Sequence, residues 1–207
     1  MLSKRLKTIA NLVTTKSVID VGCDHGYLDI YLTSKGIKCI ATDISPSSLK
    51  KAEENFKKLN LSIETMCTDG LKNINISKED TIVISGMGAD TIIKILSNIK
   101  IDNDLIISSN NNLKKLRRNI CDKGYYIEKE LYVKEKNISY VIIKFKKGKE
   151  YYNDFEYIIG PKINDNEYFN YMINEYNDIL NKIPKKYEDE KKYYEKLIEI
   201  LKDKLSK

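Results

Sequence analysis

Val18-Ile19-Asp20-Val21-Gly22-Cys23-Asp24-His25-Gly26-Tyr27-Leu28 joins an apolar, β-branched run to a glycine-containing turn and then to a helix-forming stretch. Gly22 lets a ligand approach the backbone closely, and the first N–H groups of the next helix are left unpaired at the turn. A nucleotide-like cofactor belongs at such a place. The spacing is G-x-x-x-G rather than G-x-G-x-x-G, which disfavours a nicotinamide dinucleotide.

Working outward, apolar runs at 18–22, 38–43, 62–67, 81–85 and 105–108 alternate with amphipathic stretches at 27–33, 46–59, 89–98 and 113–123. This alternation predicts a parallel sheet with crossover helices. Ser45 and Pro46 stand where a helix starts, and Gly124 stands just past a helix end. Two further strand-like stretches, 125–133 and 138–145, are separated by 134–137 and predict a hairpin that closes the sheet with an antiparallel strand. The expected fold class is α/β, a Rossmann-like sheet of the kind found in methyltransferases. That step is an analogy of fold and does not fix the function.

Beyond Gly148 the composition turns to lysine, tyrosine, asparagine and glutamate, and Gly160-Pro161 marks a break. Tyr168, Met172, Ile179 and Ile183, then Tyr194, Leu197, Ile198, Leu201 and Leu205 after Pro184, fall near heptad spacing. They predict a C-terminal helical, coiled-coil-like hairpin, with a frayed charged tail as the alternative. The expected domains are a cofactor-binding catalytic unit at 1–150 and the hairpin at 151–207.

The chain has 207 residues, a formal net charge of +6, four cysteines, one histidine and no tryptophan. Its charge comes from lysine, in a bias that an AT-rich genome also produces, so charge alone points only weakly to nucleic acid. Cys23, Cys39, Cys67 and Cys121 form no C-x-x-C pair, and with His25 alone no zinc site is expected. No apolar run reaches the roughly 20 residues that cross a bilayer, and residues 1–10 suggest a basic amphipathic helix rather than a signal peptide. The protein is expected to be cytoplasmic, monomeric and free of metal.

Three carboxylates, Asp20, Asp43 and Asp69, end or follow three consecutive strands. They fit S-adenosylmethionine, with its aminocarboxylate near Gly22, its ribose at Asp43 and its adenine at Asp69. The alternative is that Asp43 and Asp69 are helix-cap or turn aspartates. The fourth strand ends in Ser85-Gly86-Met87-Gly88, where adenine-amine methylases carry an Asp/Asn/Ser-Pro-Pro-aromatic tetrad. Without those prolines a ring nitrogen is the better target. Adenine N1 has a free lone pair at neutral pH, so the site has mainly to align it with the methyl and sulfur, and an anion such as Asp24 would offset the developing positive charge. The glycines of this segment also fit close helix–strand packing. For His25, local hydrogen bonding competes with contact to the base; for Tyr27, stacking on a flipped base competes with helix packing.

The chain resembles the bacterial tRNA (adenine-22-N1)-methyltransferase family over essentially its whole length. The resemblance rests on Leu2-Ser3-Lys4-Arg5-Leu6, the segment from Asp20 to Leu28, Thr68-Asp69-Gly70-Leu71, Ser85-Gly86-Met87-Gly88 and the C-terminal hairpin. It implies methyl transfer from S-adenosylmethionine to N1 of the adenine at position 22 of tRNA. By this resemblance Asp24 and His25 face the substrate base and Asn110 joins them on the catalytic face; Tyr27 is a further candidate there by its position, and Asp20, Gly22, Asp43, Asp69, Gly70, Gly86 and Met87 are the cofactor candidates. Ser108 and Ser109 stand where the family often has Gln-Pro, so of that segment only Asn110 is carried over; Ala89 replaces the second glycine of G-M-G-G.

An RNA substrate requires cations for phosphate. Arg5, Lys114, Lys115, Arg117 and Arg118 are the candidates, with Lys146, Lys147 and Lys149 near the hairpin, against the plainer reading of solvated charged faces. Arg5 would hold a phosphate, cap the cleft or shield the sheet edge. The hairpin would grip the tRNA, or serve dimerisation or stability. Competing functions are methylation of another RNA base or of a small molecule, and a non-catalytic RNA-binding module.

Overall fold

The computed structural model describes residues 2–97, 99–184 and 186–206. In chain order the elements are α1 (Lys4–Leu12), β1 (Ser17–Val21), α2 (Tyr27–Ser34), β2 (Lys38–Asp43), α3 (Pro46–Lys58), β3 (Glu64–Cys67), β4 (Asp80–Met87), α4 (Ala89–Ser97), β5 (Leu105–Ser109), α5 (Leu113–Asp122), β6 (Tyr125–Glu135), β7 (Ile138–Lys147), α6 (Asp154–Ile159), α7 (Asn166–Lys182) and α8 (Glu188–Leu205). The ends expected at Met1 for the first helix and at Asn98 for the fourth lie outside the described residues.

The sheet has the order β3-β2-β1-β4-β5-β7-β6, parallel except for β7, which runs antiparallel to β5 and β6. It is the Rossmann-like α/β sheet that the alternating runs predict. The chain reverses across the sheet between β1 and β4, and in such open sheets the crevice at the carboxyl ends of these strands is where ligands bind. β1 shows why its sequence suits a central strand. Ile19 and Val21 face one apolar layer with α4 and α5, while Val18 faces the other with α1 and α2. Asp20 shares the side of Val18, so its carboxylate is buried under α1 and α2.

Two details differ from the expectation. β3 begins at Glu64, because only Glu64–Cys67 pairs with β2. β4 runs on to Met87 through a bulge: Ser85 pairs with Ser108 and Met87 with Ser109, leaving Gly86 as the extra residue at φ +82°. That left-handed backbone is the reason for a glycine here, since a Cβ on Gly86 would meet nothing closer than Arg5 Nη1 at 3.7 Å.

The C-terminal helices are anchored to the sheet. Tyr168, Phe169, Tyr176, Leu197, Ile198 and Leu201 are buried in the same apolar cluster as Ile82, Ile84, Leu116 and Ile143. Short α6, which the apolar spacing does not predict, carries a capping box between Asn153 and Glu156.

Arg117 ties this region together and corrects its assignment as an RNA-binding residue. It is fully buried, with Nε donating to Glu130 Oε1 at 2.7 Å and Nη1 to the carbonyls of Tyr157 (2.9 Å) and Ile158 (3.1 Å). Glu130 Oε2 in turn accepts the backbone N–H of Lys162 at 3.1 Å. A guanidinium with no exposed surface cannot reach a phosphate, although its Nη2 has no hydrogen-bond partner among the described residues.

Candidate active site

The turn after β1 is held by β2. The N–H groups of Gly22 and Cys23 both donate to the Thr42 carbonyl, at 2.8 and 2.9 Å. The Asp43 carboxylate then ties this turn to the start of α3: Oδ2 accepts the Asp24 N–H at 3.1 Å and Oδ1 accepts the Ser45 N–H at 2.8 Å. Gly22, at φ +83°, has a backbone that disfavours any side chain, and a Cβ there would stand 2.4 Å from Met87 Cε and force that side chain to move. Met87 is delivered there by the bulge at Gly86, so the ends of β1 and β4 meet across the crevice.

The crevice is a cavity of about 440 Å³. Every residue assigned to the cofactor, Asp20, Gly22, Asp43, Asp69, Gly70, Gly86 and Met87, lines it, as do Asp24, His25, Tyr27 and Arg5. Strand ends of a parallel sheet converge, which is why residues far apart in sequence share one wall.

His25 has the partner that the sequence alone left open. Its Nδ1 lies 2.8 Å from Asp24 Oδ2, and its ring lies nearly parallel to Tyr27, with centroids 5.7 Å apart and 17° between the planes. Asn55 Nδ2 donates to the His25 carbonyl at 3.0 Å, fixing the loop from α3. Tyr27 is 54% exposed, so its ring is not consumed by helix packing.

Asn110 is brought to the site from β5 rather than to the cavity wall. Its backbone N–H donates to the Met87 carbonyl and its side-chain Nδ2 to the Gly86 carbonyl, both at 2.9 Å. The amide thereby pins the bulge. Asn111, which sequence reasoning missed, accepts the Ala89 N–H through Oδ1 at 3.0 Å and secures the start of α4.

A second missed residue is Asp29. It is fully buried on α2, where its carboxyl lies beside that of Asp20. Burial and the neighbouring Asp20 push its carboxyl well above the usual range. Burial likewise pushes Asp20 up to about 7, opposed by a hydrogen bond from the Asp29 carboxyl and by the positive charge of Arg5. Arg5 lies in the cavity wall, with Nη1 buried and unpartnered among the described residues and its guanidinium 5.2 Å from the Tyr140 ring centroid. Asp69 sits at the opening, where Lys72 Nζ donates to it at 2.5 Å and holds its carboxyl below the usual range.

The basic start of α5 is less positive than its sequence suggests. Lys114 and Arg118 both pair with Asp154, and Lys115 pairs with Asp90 at 2.6 Å. Lys146 pairs with Glu128 and Lys147 with Asp102. Among the described residues no group of three or more His, Cys, Asp or Glu side chains is placed to hold a metal ion, and no helix is long and apolar enough to cross a membrane.

A parallel sheet closed by an antiparallel hairpin, with acidic residues at the ends of β1 and β2 around a glycine turn, defines a Rossmann-like methyltransferase. The chain belongs to the methyltransferase-domain family, whose model matches residues 2–143, and within it to the family that includes TrmK. It is 30% identical to TrmK of M. capricolum, solved with S-adenosyl-homocysteine, over 98% of both chains at a TM-score of 0.86. Streptococcus pneumoniae Sp1610, provisionally described as a tRNA (m1A22) methyltransferase and solved with S-adenosyl-L-methionine, is 25% identical over 99% of this chain and all of its own, with a TM-score of 0.86. A Mycoplasma genitalium protein provisionally named a tRNA methyltransferase is 34% identical over 78% of each chain.

Proposed function

We propose that this chain transfers the methyl group of S-adenosylmethionine to N1 of the adenine at position 22 of a tRNA. The observation that carries this reading is the gathering of Asp20, Gly22, Asp43, Asp69 and Gly86 around one cavity, in a chain alike to TrmK from end to end.

The residues fit the cofactor. The buried, unpartnered Nη1 of Arg5 suits a carboxylate, and Asp20 beside it suits an ammonium. Asp43 uses one lone pair of each oxygen on the backbone and keeps the others for two ribose hydroxyls. Asp69 and Gly70 bound the adenine end, while Gly22, Gly86 and Met87 form the floor. When bound, S-adenosylmethionine supplies a methyl group on a positively charged sulfur, ready for displacement.

The adenine N1 lone pair is free, so no side chain has to remove a proton before transfer. The protein's work is alignment and exclusion of water. Asn110 holds the Gly86 carbonyl and so keeps the end of β4 in its bulged form. Asp24, oriented by His25, offsets the positive charge that the methylated ring acquires. Tyr27, backed by the His25 ring, offers a stacking face to a base drawn out of the RNA. Residues 1–150 act as the catalytic unit, and 151–207 hold the tRNA. Lys114, Lys115 and Arg118 exchange their acidic partners for phosphates when RNA arrives.

The test is incubation with labelled S-adenosylmethionine and an unmodified tRNA transcript, followed by nuclease digestion and mass spectrometry of the nucleosides. The expected product is 1-methyladenosine that disappears when the adenine at position 22 is replaced. Label in another nucleoside, or label that survives the replacement, would refute the assignment.

A further inference from the structure

A second cavity, of about 330 Å³, opens where the loop after β5 meets β6, β7 and α7. Asn110 lines it, and the same asparagine donates to the Gly86 carbonyl in the wall of the cofactor cavity. The groove therefore continues the active site along the carboxyl edge of the sheet toward the C-terminal hairpin. Its size lies at the lower end of the range for small-ligand clefts, which suits one nucleobase rather than an extended molecule.

The lining has the chemistry of base recognition. Tyr171 lies nearly parallel to Tyr132, at 6.3 Å between centroids and 23° between planes, and is still 37% exposed. Tyr132 is itself fixed, its hydroxyl hydrogen-bonded to Ser139 at 2.8 Å and its ring packed 5.4 Å from Tyr168. Asn112 is the second element. It occupies the N-cap position of α5 in a left-handed conformation, φ 48°, yet its side chain caps nothing. An asparagine that leaves its own helix uncapped keeps an amide carbonyl and an NH2 for a partner from outside. At the rim, Lys114 brings a cation whose side chain is 40% exposed.

From this juxtaposition we infer that the groove is a subsite for a second nucleobase of the substrate RNA, one flanking the methylated adenine, stacked on Tyr171 and met at its edge by Asn112. The inference rests on the proposed RNA methyltransferase activity and adds where the neighbouring nucleotide is held. An RNA occupant follows from the continuity through Asn110, the aromatic platform and the cation at the rim. Stacking gives affinity with little sequence preference, and the Asn112 amide adds a preference for particular base edges.

The chain has no tryptophan, so Tyr171→Trp creates a single indole reporter. Its fluorescence is expected to be quenched by an unmodified tRNA transcript. In steady-state methylation, Tyr171→Ala raises KM for the transcript by about 5- to 150-fold, the range typical of a lost base–aromatic stack. Its kcat and its affinity for S-adenosyl-homocysteine stay unchanged, and Tyr171→Phe behaves as wild type. Asn112→Ala, which removes an exposed side chain that caps no helix N–H, also raises KM. An unquenched indole overturns the subsite, as does a KM unaffected by both Tyr171→Ala and Asn112→Ala. Equal impairment of Tyr171→Ala and Tyr171→Phe overturns it too, since the ring would then not be the cause. If the wild-type protein methylates no adenine, the functional reading fails separately, and the tRNA titration of Tyr171→Trp still decides the subsite.

Discussion

Replacing Arg117 with methionine should destabilise the protein strongly while leaving the cofactor cavity intact. Arg117 and Glu130 have no exposed side-chain surface, and they meet at 2.7 Å. Removing the guanidinium strips Glu130 of its charged partner and leaves it only the Lys162 N–H; it also removes the donor from the Tyr157 and Ile158 carbonyls. Breaking a buried pair from one side costs about 3–5 kcal/mol, because the other charge stays behind without water. For a chain of this length that corresponds to a Tm lower by about 6–20 °C. Thermal unfolding by circular dichroism measures the shift, and calorimetry at 15 °C measures S-adenosyl-homocysteine affinity, which should be unchanged. Because the pair is shielded from solvent, the loss should persist in high salt. The double variant Arg117→Met/Glu130→Leu should recover much of the stability, since no lone charge is then buried. A single variant as stable as wild type but weakened in tRNA binding would refute this reasoning and restore Arg117 to the RNA surface.

Gly22→Ala should lower cofactor affinity, because the new Cβ would stand 2.4 Å from Met87 Cε and push that side chain within the cavity, while the left-handed backbone lowers stability by roughly 1–2 kcal/mol; unchanged affinity for S-adenosyl-homocysteine would contradict the placement of the turn in the cavity floor. Cofactor affinity should also rise with pH up to about 7 and then level, because Asp20, raised to about 7 by burial, is largely protonated below that value and ionises beside a cationic ligand. Calorimetry in two buffers of different ionisation heat should detect proton release near pH 6.5, abolished in Asp20→Asn; an affinity flat from pH 5.5 to 8 would exclude it. The same raised carboxyl contributes stability that is fully present below its ordinary unfolded value and is lost as pH rises through about 7.

The alternation of strands and helices and the convergence of the candidate cofactor residues were legible because each depends on a local pattern. Alternating runs give the parallel sheet, and the ends of its strands must converge, so Asp20, Asp43 and Asp69 reach one cavity without any knowledge of packing. Arg117 was not legible from charge, because Lys114-Lys115-Leu116-Arg117-Arg118 looks like a solvated face. The helical spacing did carry the signal: Arg117 shares the face of Leu113, Leu116 and Ile120, which is the buried one. Asp29 lies between buried Leu28 and Leu32 in the same way. α6 is too short for periodicity, although Asn153 and Glu156 three residues apart mark its start. The role of Asn111 at α4 depends on a contact between loops and has no sequence pattern.

The placement of the only histidine at the mouth of the cavity makes the site its own spectroscopic label. Every imidazole resonance in a proton NMR spectrum comes from His25, whose Nδ1 is bonded to Asp24 and whose ring lies against Tyr27. A ligand entering the cavity changes the ring current and the hydrogen bond at that one imidazole. Its two carbon-bound protons then report occupancy, protonation and exchange rate without isotope labelling or an introduced probe.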